Sequence, residues 1–148
     1  MTYLVPFDGT EPSTAVLRRA SDLAAKTGEP VRAVVVIPQG NAGYARDRGW
    51  IDHGEPFDRA LIVDRLRERI ERIDDGVALE ALSAGRYVQP GTIAGRIRRH
   101  AREIDASVVF LPTANAGRMV SSLSSVSSPI AAGRGYDVYL VSPRAGDG

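Results

Sequence analysis

The chain has 148 residues, no cysteine, 43% hydrophobic and 25% charged residues, and a formal net charge of +1. That length suffices for one domain with a sizeable core. The missing cysteines exclude a disulfide framework, a thiolate metal site and a cysteine nucleophile, and the small net charge removes the electrostatic case for a nucleic-acid partner. No apolar run approaches the ~20 residues of a membrane span, and the opening MTYLVPFDGT lacks the basic region of a signal peptide. The expectation is a soluble cytoplasmic protein with no membrane partner.

In chain order, Thr2 to Phe7 (TYLVPF) reads as a first strand, and Asp8-Gly9-Thr10 as turn chemistry. Thr10 is placed to cap a helix with Pro12 in its first turn, Val16, Ala20, Leu23 and Ala24 on one stripe, and Gly28 at its end. Val31 to Ile37 (VRAVVVI) is a β-branched run, as expected of a strand buried on both faces. Gln39 to Glu55 reads as a long loop anchored by Tyr44 and Trp50. Pro56 is expected to open a second helix, running to about Ile73, with Ile62, Leu66, Ile70 and Ile73 inward. Arg65, Arg67, Arg69 and Arg72, interleaved with Glu68 and Glu71, suggest a solvated face laced with ion pairs.

A third strand is expected at Ala78 to Ser83. Pro90-Gly91-Thr92 then starts a helix with Ile93, Ile97, Ala101 and Ile104 inward and Arg96, Arg98, Arg99 and Arg102 outward. Ser107 to Leu111 and Asp137 to Val141 complete five strands, and Arg144 to Gly148 reads as a frayed tail. Strands alternating with helices predict an α/β fold: a single domain with an open parallel sheet and helices on both faces.

The stretch Ser107 to Ser128 carries the chemistry. A strand runs through Pro112 into a loop of small and polar residues, where backbone N–H groups and a helix start favour an anion. Ser121, Ser122, Ser124, Ser125, Ser127 and Ser128 form a hydroxyl cluster, and composition alone makes it a polar connector. Pro129 belongs in the first turn of a short helix capped at Val126, Ser127 or Ser128 and ended by Gly133. If strands one and four are neighbours, Asp8 and the Pro112 loop face each other across the crevice at the carboxyl ends of the strands. The plainer reading makes Asp8 a turn residue. His53 and His100 lack metal spacing and read as surface histidines, so no metal site is expected. No nucleophile lies beside a base, so no catalytic residue is assigned and a slow ATPase or hydrolase ranks last.

Three segments together, VPFDGTEPS, VVVIP and ASVVFLPT with SSVSSPIAAGRGYDVYLV, resemble the universal stress protein family. The resemblance implies an adenine nucleotide α-hydrolase-like sheet of order 3-2-1-4-5 and a homodimer through the last strand, Asp137 to Val141. In the nucleotide-binding branch the aspartate after strand one and the valine ending strand two hold adenine and ribose. Those positions are Asp8 and Val36 here, flanked by Pro6, Phe7 and Leu111. The family's phosphate loop falls on Pro112, Asn115, Ser124, Ser125, Val126 and Ser127, and this chain adds Gly117 for a tight approach and Arg118 for a phosphate contact. Pro112 stands where the first loop glycine is usual, the second glycine falls on or next to Asn115 and the third at Ser124, and the loop is one residue short. Proline has no N–H and a fixed φ, so the phosphate end is altered. The expected function is a dimeric stress-response module with weak or absent nucleotide binding. The alternative is an ATP- or AMP-binding sensor.

Overall fold

A computed structural model describes residues 1–113 and 135–142. The expected helix after the serine cluster, that cluster itself and the tail from residue 143 lie outside the described residues.

Five strands, β1 (Thr2–Pro6), β2 (Val31–Pro38), β3 (Ala78–Ala84), β4 (Ala106–Pro112) and β5 (Asp137–Val141), form one sheet in the order β3-β2-β1-β4-β5. All four pairings are parallel. Parallel neighbours need crossovers, and the helices α1 (Glu11–Thr27), α3 (Arg59–Ile73) and α4 (Pro90–Glu103) supply those from β1 to β2, β2 to β3 and β3 to β4. The expected strands each lie within about one residue of the observed ones.

Alternation along the strands divides the core between two faces. Val5, Val35, Ile37 and Phe110 pack with Val16, Leu17 and Ala20 of α1 and Ile62, Leu66 and Ile70 of α3. Leu4, Val34, Val36, Val109 and Leu111 point the other way, onto Ala94, Ile97 and Ala101 of α4. This is why β2 reads as an unbroken apolar run: both of its faces are covered.

Four local expectations are corrected. Thr10 is the N-cap residue of α1, but its side chain makes no capping bond. Its hydroxyl donates instead to Asp8 Oδ1 at 2.6 Å. The long loop after β2 contains a short helix, α2 (Ala42–Asp47), capped by Asn41, whose side chain accepts from the Tyr44 N–H. The second long helix starts at Arg59 rather than Pro56, because Asp58 is the better cap and accepts from the Leu61 N–H at 3.2 Å. His100 is buried on α4, one turn beyond Ile97, rather than lying on the arginine-rich outer side. No helix among the described residues is long and apolar enough to cross a membrane.

Candidate functional site

From β1 the chain goes to β2 on one side, and it later returns through β4 on the other. The carboxyl ends of β1 and β4 therefore flank the point where strand order reverses, and crossovers diverging there leave a crevice. A cavity of about 200 Å³ opens at that place.

The turn after β1 forms one wall. Phe7 is buried and still bonded to β2 through its N–H to the Val34 carbonyl at 2.8 Å. Asp8 is the next residue. Gly9 turns the chain with φ +81, a conformation that glycine adopts without penalty. Asp8 Oδ1 accepts from the Thr10 N–H at 3.1 Å and from the Thr10 hydroxyl. The plain turn role and the crevice position thus belong to the same carboxylate: one oxygen fixes the turn, while Oδ2 lies 3.9 Å from Arg48 Nε.

A second wall comes from residues 41–55, which strap across the sheet end. Trp50 is buried and donates its indole N–H to the Asp8 carbonyl at 2.6 Å. Tyr44 packs on Trp50 with ring centroids 5.6 Å apart, and the Arg48 guanidinium lies over the Tyr44 ring at 3.6 Å.

The arginines of α3 hold this strap, against the expectation of a purely solvated face. Arg65 donates to both Glu55 carboxylate oxygens and to the Trp50 carbonyl. Arg69 donates to the carbonyls of Gly9 and Gly49. The sequence period places both arginines on the polar side of the helix correctly. It carries no information about the strap that folds over that side. The Arg65 bonds hold Glu55 at a pKa of about 2, well below its ordinary 4.5.

Pro6, Phe7, Asp8, Val36, Leu111 and Pro112, all singled out from the sequence, line this one crevice. Asn115, Gly117, Arg118, Ser124, Ser125, Val126 and Ser127 lie outside the described residues. Sequence reasoning missed Tyr44, Arg48 and Trp50 on the strap, and Val88, Pro90 and Ile93 at the start of α4. Tyr44 and Trp50 were legible as anchors, but nothing in the pattern said what they anchor to. No group of three or more acidic or histidine side chains able to hold a metal occurs among the described residues.

The open parallel sheet of order 3-2-1-4-5 with a crevice at its switch point matches the adenine nucleotide α-hydrolase-like fold class. Within that class the chain belongs to the universal stress protein family, whose model matches residues 1–141. Among solved structures it is similar to a universal stress protein in complex with cAMP, at 17% identity and TM-score 0.53, over 97% of each chain. It is also similar to a universal stress protein family member from Burkholderia pseudomallei, at 22% identity and TM-score 0.54, over 95% of this chain and 94% of that one. A third is the hypothetical protein MJ0577, at 11% identity and TM-score 0.59, over 97% of this chain and 96% of that one. These likenesses speak for the fold. No curated protein matches the chain.

Proposed function

We propose that this protein is a stress-response regulatory module that acts as a homodimer and takes an adenine nucleoside weakly, with the triphosphate disfavoured. The observation that carries the reading is Pro112, the last residue of β4, which lines the crevice opposite Asp8. A phosphate cradle works by turning several backbone N–H groups toward one anion. Proline contributes none, and its ring occupies the space that a glycine would leave open. Apolar walls from Val36, Val88 and Ile93 and the rings of Tyr44 and Trp50 suit a flat base. A binding role is favoured over catalysis, because the hydroxyl bonded to the Asp8 carboxylate, that of Thr10, fixes the turn and does not line the crevice.

A second reading, an ATP- or AMP-responsive sensor, draws support from the similar universal stress protein in complex with cAMP. Calorimetry with adenosine, AMP and ATP separates the two. The one charge-assisted bond that Pro112 does not make, worth about 1.5–3 kcal/mol, weakens ATP roughly 10- to 100-fold relative to an intact glycine loop. Micromolar ATP binding lost in S125A and S127A variants establishes the sensor reading instead.

A further inference from the structure

We propose that Arg48 is the anion-recognising residue of the crevice and that it selects a nucleoside bearing a single phosphate over the unphosphorylated nucleoside. The inference rests on the nucleoside reading of the crevice and adds the ligand class and the residue that sets it.

Among the described lining residues only Asp8 and Arg48 are charged. Arg48 and the two α3 arginines that hold the strap differ in how their donors are used. Arg65 and Arg69 are spent on fixed partners: Glu55 and the carbonyls of Trp50, Gly49 and Gly9. The Arg48 guanidinium makes no hydrogen bond among the described residues. Its one ionic partner is Asp8, with 3.9 Å between Nε and Oδ2, beyond hydrogen-bond reach.

The group is nevertheless held in place. Its guanidinium carbon lies 3.6 Å from the centre of the Tyr44 ring, which is itself packed on the buried Trp50. The cation–π contact holds the charge beside the ring while leaving its N–H donors without a hydrogen-bond partner among the described residues. A guanidinium with unused donors, about one-third exposed and lining a largely apolar cavity, matches a phosphate better than it matches any neutral group. Asp8 beside it disfavours further negative charge, and no second cation among the described lining residues offsets it. One phosphate therefore gains from this site, and a chain of phosphates gains no more.

The competing explanation is that Arg48 only screens Asp8 and covers Tyr44 with its alkyl stem. Calorimetry with adenosine, AMP and cyclic AMP on the full chain, and on R48M and R48K, decides between them. Chemical unfolding of each variant confirms that it folds. We expect AMP and cyclic AMP to bind the unmodified protein about tenfold or more tighter than adenosine, as a charge-assisted bond gives. The difference narrows with added salt. In R48M the ratio falls to about one, and R48K retains part of it. Adenosine binding with no phosphate preference, or a preference that survives R48M, overturns the role of Arg48 and leaves the nucleoside crevice standing. Absence of binding by all three ligands overturns the crevice reading and this inference with it.

Discussion

Gly9 and Arg69 meet at the turn that presents Asp8. A Cβ at Gly9 would lie 2.5 Å from Arg69 Nη1 and 3.0 Å from Leu66 Cδ2, and the residue has φ +81. The arginine tip can swing away, but the backbone conformation cannot relax without moving Asp8. G9A is therefore expected to destabilise the protein by about 1–3 kcal/mol in urea unfolding. A G9A/R69A double variant should keep most of that loss, because the strain is in the backbone. Full recovery in the double variant would place the cost in the contact instead. His100 shows the same limit on reading single residues. Its arginine neighbours mark a wet helix face, yet it is buried and its Nε2 has no hydrogen-bond partner among the described residues.

The strap formed by residues 41–55 is the element that decides the shape of the crevice. Among its ties, Asn41 Nδ2 donates to the Arg86 carbonyl, Arg69 to the Gly49 carbonyl, the Trp50 indole to the Asp8 carbonyl, and Arg65 to Glu55. The last tie titrates. Glu55 has its pKa lowered from 4.5 to about 2, first by the hydrogen bonds from Arg65 and then by that from the Asp52 N–H. A depressed carboxylate pKa stabilises the folded form above the unfolded value, and the contribution is lost as pH falls through the folded one. The tie is thus complete above about pH 4.5 and lost on the way down to about pH 2. Trp50 is the single tryptophan of the chain, so its fluorescence reports on the strap. We expect an emission change across that pH interval which is missing in E55Q. An unchanged titration in E55Q would assign the transition to another group.

For the whole molecule, the exposed side of β5 matters most. β5 stands at the end of the strand order, and Tyr139 and Leu140 are 37% and 44% exposed. Tyr139 stacks on Phe110 at 5.0 Å, which braces the strand from within. An apolar edge strand invites pairing with another copy, and the proposed homodimer uses it in that way. Sedimentation velocity should give a dimer for the unmodified protein and a monomer for L140R with an unchanged circular dichroism spectrum. A monomeric unmodified protein would remove assembly from the proposed function.

What the sequence by itself determined is the α/β alternation, the five strands and Asp8 at the end of the first of them. Those features follow from local periodicity and turn chemistry, and the VRAVVVI run of β2 announces a strand covered on both faces. The order 3-2-1-4-5 was legible only through family resemblance, because strand order depends on which way each crossover folds. The inward turn of Arg65 and Arg69, the burial of His100 and the placement of Arg48 over Tyr44 were decided by tertiary structure alone. Each depends on a segment distant in sequence coming to cover a surface that local periodicity marks as polar. The period of a helix says which residues share a face, and only the packed chain says what that face meets.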